Sequence, residues 1–215
     1  MDKRAENLQL IIDTGVVAVI RANTSAQLMD IVQALKNGGI RALEITMTTP
    51  NALEAIKEAA ERFGKEVVVG VGTVLDPETA RAAILAGAEF IVAPTLNLEV
   101  IKLCKRYSKL VVPGAFTPTE ILTAWEAGAD AVKVFPATKL GPEFFKDVLG
   151  PLPQVRLTPT GGVNLQTTPQ FIKAGAAFVG VGTALVDKKM VAEKRWDDLA
   201  ALAGQYLDAV RQARS

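Results

Sequence analysis

Ala127-Gly128-Ala129-Asp130-Ala131-Val132-Lys133-Val134-Phe135-Pro136 reads as a helix stop, a short turn and a strand that carries one charge. Gly128 supplies the left-handed residue that ends a helix before a short loop. The β-branched Val132 and Val134 share one strand face, and Lys133 and Phe135 share the other. The same unit recurs as Gly38-Gly39-Ile40, Ala86-Gly87-Ala88 and Ala174-Gly175-Ala176. These turns precede strands expected at Ala42–Met47, Phe90–Thr95 and Phe178–Thr183, with the sixth at Ala131–Pro136. Further strands are expected at Val16–Arg21, Val67–Thr73, Leu110–Ala115 and Arg156–Gly162. Amphipathic stretches lie between them: Ser25–Lys36, Ala52–Arg62, Pro77–Ala86, Leu98–Tyr107 and Thr119–Ala127, with a closing helix over Glu193–Arg214. Asp76-Pro77 and Thr117-Pro118 each place an N-cap before proline at the first helical position. Eight strands with helical crossovers predict an α/β fold, a (β/α)8 TIM barrel with an N-terminal helix, as a single domain over residues 1–215. An open dinucleotide-binding sheet is the competing architecture. Its first turn would carry G-x-G-x-x-G, where this chain has Arg21-Ala22-Asn23-Thr24.

The chain has 215 residues, 49% hydrophobic and 22% charged, with a formal net charge of +1. That balance gives no footprint for nucleic acid or an anionic membrane surface, and no apolar run reaches the length of a membrane span. A cytoplasmic protein is expected. The single cysteine, Cys104, cannot form an internal disulfide and reads as structural, while Lys102, Lys105 and Arg106 read as a solvated face. There is no histidine. Serine–histidine and cysteine–histidine catalysis and histidine metal ligation are thereby excluded, which leaves carboxylates, lysine, tyrosine, backbone dipoles or an oxygen-ligated metal. No cofactor and no metal are expected.

Two strands interrupt their apolar pattern with an ionisable group. In Ala42–Met47, Leu43, Ile45 and Met47 share one face, and Glu44 lies on the other with Thr46 and Thr48 beyond it. Glu44 and Lys133 are therefore expected to face one lumen. A structural ion pair, or a lysine snorkelling to solvent, is the competing reading. A buried pair adds little stability, because desolvation offsets much of its attraction. The chemistry open to such a pair is specific. A lysine attacks a carbonyl only when neutral, and an apolar interior disfavours its ammonium. The iminium that follows withdraws electrons, and a carboxylate can move the proton needed for C–C cleavage.

The strand ends suggest the rest of a site. Loops after the seventh and eighth strands of such a barrel commonly bind phosphate, and here they carry Gly161, Gly162, Gly182 and Thr183. Glycines required only by turn geometry are the alternative. Arg21 and Thr73 end the first and third strands, on the side of the mouth expected to lie opposite those loops. Arginine there suits a substrate carboxylate; a surface salt bridge is the competing role.

Ala-Leu-Glu44-Ile-Thr-Met-Thr-Thr-Pro, Gly70-Val-Gly-Thr73-Val-Leu, Val-Pro113-Gly114, Val-Lys133-Val-Phe-Pro-Ala, Pro159-Thr-Gly-Gly-Val-Asn and Gly180-Val-Gly-Thr resemble the 2-keto-3-deoxy-6-phosphogluconate (KDPG) and 4-hydroxy-2-oxoglutarate aldolase family. The likeness runs in order from about Val16 to Val186. It implies a cofactor-free class I aldolase, usually a homotrimer, that forms pyruvate and glyceraldehyde 3-phosphate in the Entner–Doudoroff route. On that resemblance Lys133 is the Schiff-base lysine and Glu44 the catalytic glutamate. Thr73 is the pyruvate-side threonine, and Gly161, Gly162, Gly182 and Thr183 bind phosphate. Substrate contacts are further expected at Arg21, Thr48, Pro94, Phe135 and Thr160. Thr48 stands where some members carry an arginine for the substrate carboxylate, a role Arg21 could assume. Plain 4-hydroxy-2-oxoglutarate or oxaloacetate as the substrate, an isomerase or synthase of another class, and a non-catalytic sugar-phosphate module are the rival functions.

Overall fold

The computed structural model describes residues 2–215. Along the chain it forms α1 (Lys3–Thr14), β1 (Val16–Ile20), α2 (Ser25–Asn37), β2 (Ala42–Thr46), α3 (Ala52–Phe63) and β3 (Val68–Gly72). There follow α4 (Pro77–Leu85), β4 (Phe90–Val92), α5 (Leu98–Arg106), β5 (Leu110–Val112), β6 (Gly114–Ala115) and α6 (Pro118–Glu126). The last third holds β7 (Val132–Val134), α7 (Ala137–Leu149), β8 (Leu157–Pro159), α8 (Thr168–Lys173), β9 (Val179–Val181), α9 (Lys188–Ala192) and α10 (Trp196–Arg214).

The repeated glycine turns end four of these helices in one way. Gly39, Gly87, Gly128 and Gly175 lie at φ between 94° and 110°. At the third turn the N–H of Gly128 donates to the Trp125 carbonyl at 2.9 Å, and that of Ala129 to the Ala124 carbonyl at 3.1 Å. The pair satisfies carbonyls that a helix end leaves free. Starts are equally local. The Thr117 hydroxyl accepts from the Glu120 N–H while the Glu120 carboxylate accepts from the Thr117 N–H, with Pro118 following.

All strand pairs are parallel. One sheet has six strands in the order β5-β4-β3-β2-β1-β9 and another has three, β6-β7-β8. A lone parallel bridge, Thr160 to Gly180, links the end of the second sheet to β9. Every strand is buried along its length, as parallel strands covered on both faces should be.

Three expectations need correction. The strand expected over Leu110–Ala115 divides at Pro113, which has no N–H to offer the ladder. Its carbonyl still accepts from the Lys133 N–H at 2.8 Å. Several other strands end earlier than expected, β4 at Val92 and β8 at Pro159, although the N–H groups of Ala93 and Thr160 still donate to Val112 and Val134 of the neighbouring strands. The closing helix starts at Trp196, not Glu193, after a reversal with Lys194 at φ 54°. The structure also contains α7, α8 and α9, of which α7 breaks at Gly141 (φ 70°, ψ 178°) before Pro142.

Apolar side chains fall into two clusters. The larger, with Leu43, Ile45, Val132 and Val134, lies between strands and helices. The smaller gathers Val17, Ala42, Val68, Phe90, Leu110 and Phe178 on the inner strand faces, with Ile11 of α1 against them. That inner layer is the floor beneath the site.

Candidate active site

Lys133 occupies the middle of β7, paired in register with Gly114 on one side and Thr158 on the other. Glu44 occupies the middle of β2, between Val19 and Gly70. Alternation along each strand turns both side chains inward, one layer above the apolar floor. Both line a single cavity, to which β1, β2, β4, β5, β7, β8 and β9 all contribute. Lys133 is 6% exposed and Glu44 3%.

Such burial raises the cost of either charge. It pushes the Glu44 carboxyl above its ordinary value, an effect the positive charges of Lys133 and Arg21 partly offset. It pulls the Lys133 ammonium below its ordinary value; Glu44 opposes that fall and Arg21 reinforces it. Among the described residues the two form no ion pair within 4.0 Å, so neither is locked by the other. The Lys133 Nζ stands 4.9 Å from the centre of the Phe135 ring. A buried amine whose neutral form is favoured, near a buried carboxyl poised to gain or lose a proton, can form an imine and move protons around it.

Two residues outside the expected set shape this pair. Gly72 ends β3 beside the Glu44 carboxylate, on the mouth side of its register partner Gly70, and a Cβ there would overlap the Glu44 Oε1. Glycine is required for that close approach. Thr158, 2% exposed, lines the same cavity, and among the described residues none pairs with its Oγ1. The period-two rule applied to Leu157-Thr158-Pro159 points Thr158 inward, so its signal was in the sequence. Nothing in the sequence reports that Gly72 meets Glu44, because the contact joins different strands.

Beside the cavity lies a recess lined by Arg21, Phe135, Thr160, Gly161, Gly162, Gly182 and Thr183. Gly161 and Gly162 have φ of 90° and 74°. Among the described residues, the N–H groups of Gly162, Gly182 and Thr183 find no protein acceptor, while Gly161 follows the Thr160–Gly180 bridge. Arg21 is therefore not opposite these loops, as expected, but among them. Pairing of β1 with β9 brings the end of the first strand beside the end of the last, and the Arg21 Nη1 would lie 3.7 Å from a Cβ on Gly182.

The other expected contacts are spread around the mouth. Thr48 is exposed, shares a separate recess with Arg21, and bonds through its hydroxyl to that of Thr46 at 2.8 Å. Pro94 lies in a third recess with Phe135. Thr73, partly buried at φ 62°, does not line the cavity of Lys133 and Glu44. Cys104 is buried, and burial raises its thiol pKa to about 12, so it stays inert. No helix is long and apolar enough to cross a membrane among the described residues.

A parallel α/β frame with a buried amine and a buried carboxyl at its centre has the form of a class I aldolase, a carbon–carbon lyase. The chain belongs to the KDPG and KHG aldolase family, whose sequence profile matches residues 9–202. It is 34% identical over 91% of its length to the 2-dehydro-3-deoxy-6-phosphogalactonate aldolase of Escherichia coli K12, covering 96% of that protein. It is 32% identical over 94% of its length to the 2-dehydro-3-deoxy-phosphogluconate aldolase of Pseudomonas aeruginosa, covering 92% of it. Its fold matches a KDPG aldolase of Legionella pneumophila, with pyruvate captured as a covalent carbinolamine, at a TM-score of 0.86. Identity there is 27%, over 92% of this chain and 96% of that one.

Proposed function

We propose that this protein cleaves 2-keto-3-deoxy-6-phosphogluconate to pyruvate and glyceraldehyde 3-phosphate through an imine on Lys133. One observation carries the reading: the lysine and Glu44 are both buried, on separate strands, around one cavity. Neutral Lys133 attacks the C2 ketone, giving a carbinolamine and, with loss of water, an iminium. Glu44 takes the proton of the C4 hydroxyl as the C3–C4 bond breaks and its electron pair moves toward the iminium nitrogen. The aldehyde leaves, the enamine gains a proton at C3, and water releases pyruvate. Gly161, Gly162, Gly182 and Thr183 line the recess with Arg21, and the free N–H groups of Gly162, Gly182 and Thr183 with the guanidinium are the donors for the phosphate. Thr160 lines both cavity and recess, Phe135 lines the recess, Thr48 and Pro94 line neighbouring recesses, and Thr73 directly follows β3.

The same reading includes one closed eight-stranded barrel in a single domain. The Thr160–Gly180 bridge and the continuation of β5 into β6 across Pro113 support it. It also includes a cytoplasmic, cofactor-free homotrimer acting on a small 2-oxo acid, with no nucleic-acid or membrane partner. Exposed Leu75, Leu98 and Phe116 offer apolar surface for self-association, and sedimentation of the purified protein tests it.

Plain 4-hydroxy-2-oxoglutarate is the second reading, because the family's description names both activities. Coupled assays of KDPG, its C4 epimer, 4-hydroxy-2-oxoglutarate and oxaloacetate compare kcat/KM directly. Preference for a phosphorylated substrate supports the proposal. No turnover of any of the four overturns it in favour of a binding module.

A further inference from the structure

Thr158 is a polar side chain that the strand pairing does not need. Its register partner is Lys133, so the two side chains leave neighbouring strands on the same face. It is 2% exposed, with an Oγ1 that no protein group satisfies, although burying a hydroxyl without a partner is costly. The cavity it lines also presents Glu44, Lys133 and Thr160, while the rest of its wall is largely apolar. With Thr158 they make four polar groups around a space of about one water, enough for the two to four hydrogen bonds that a buried water makes.

We propose that Thr158 is a positioning residue whose hydroxyl holds the water that leaves and re-enters at C2 of the Lys133 imine. The inference rests on the aldolase reading above. In the release step the water oxygen forms a bond to C2 and the C=N π pair returns to Nζ. Glu44 takes one water proton, passes it to Nζ, and receives the remaining hydroxyl proton as the C–N bond breaks and the carbonyl forms. Iminium, water and carboxylate thus become pyruvate, neutral Lys133 and protonated Glu44, with charge and atoms conserved. The Thr158 hydroxyl itself neither gains nor loses a proton; it directs the water's lone pair at C2.

The test is exchange of ¹⁸O from labelled water into the C2 carbonyl of pyruvate, measured for the wild type, Thr158→Val and Thr158→Ser. Borohydride trapping on Lys133 and thermal unfolding are followed in parallel. Thr158→Val, matched in shape but without a hydroxyl, should slow exchange about tenfold, the effect of one lost positioning hydrogen bond. Its trapped adduct should persist longer after dilution from pyruvate, and Thr158→Ser should restore exchange to within about twofold. Unchanged exchange in folded Thr158→Val overturns the role of Thr158 while leaving the aldolase reading intact. Failure of the wild type to form any adduct instead overturns the aldolase reading. If Thr158→Val does not fold, Thr158→Ala against Thr158→Ser makes the same comparison.

Discussion

Asp130 and Glu44 are both buried carboxyls, 6% and 3% exposed, and both line the cavity inside the strands. Asp130, in the turn before β7, is fully engaged. Its Oδ2 accepts from the Val111 N–H at 2.9 Å, and its Oδ1 pairs with Arg4 of α1. Glu44, nearer the mouth, accepts no hydrogen bond among the described residues; its neighbours act on it through charge. The first arrangement satisfies a carboxylate and fastens the N-terminal helix against the strands. The second leaves a carboxyl unsatisfied and therefore responsive to whatever enters. Burial alone does not mark a functional group; a buried carboxyl left free beside a buried amine in one cavity does.

Substitutions at the two ends of the cavity should separate these roles. The largest effect is expected for Lys133→Ala, which removes the nucleophile: turnover should fall on the order of a thousandfold or more, read in a coupled pyruvate assay with the protein still folded. Retained turnover would move the chemistry elsewhere. At the other end, Asp130→Ala strips the partner from Arg4 and the Val111 N–H and should cost about 3 kcal/mol of stability. Thermal unfolding would show a drop of several degrees, whereas an unchanged midpoint would mean α1 is not held there.

Gly72→Ala comes next. The added Cβ displaces the Glu44 carboxylate, and a shift of about 1 Å in a catalytic group can cost about a hundredfold in kcat. The pyruvate adduct on Lys133 should still form, since the amine is untouched. If kcat is unaffected, the position of Glu44 does not matter. The smallest effect is a displacement along the pH axis. Trapping requires the neutral amine, so its rate should rise with pH through a midpoint below 10.5, the ordinary lysine value. Glu44→Gln removes the charge that holds the ammonium and should move that midpoint down. Arg21→Met removes a charge that disfavours the ammonium and should move it up. Opposite movements would mean that these side chains act on Lys133 by some route other than charge.

Most of the frame was legible because its signals are local. Gly128 and its three counterparts announce helix ends through backbone conformation, and period-two alternation places Glu44 and Lys133 on inner faces. What escaped depends on contacts between elements far apart in the chain. That Arg21 joins Gly182 and Thr183 follows from β1 pairing with β9, a contact between chain ends. That Gly72 makes room for Glu44, and that Asp130 meets Arg4, are likewise tertiary facts with no periodicity to betray them. Pro113 was visible, yet its division of a strand depends on which neighbour sought its missing N–H. The helices α8 and α9, of six and five residues, are too short to show a helical period.

The central claim is that the single inward lysine of β7 is the group that bonds to substrate. Incubating the purified protein with pyruvate and borohydride, then mapping the modified peptide by mass spectrometry, tests it without knowledge of the full substrate. The account predicts one reduced pyruvyl group per chain, located at Lys133 and absent from Lys133→Ala. An unmodified protein, or label on a surface lysine such as Lys102, would contradict it.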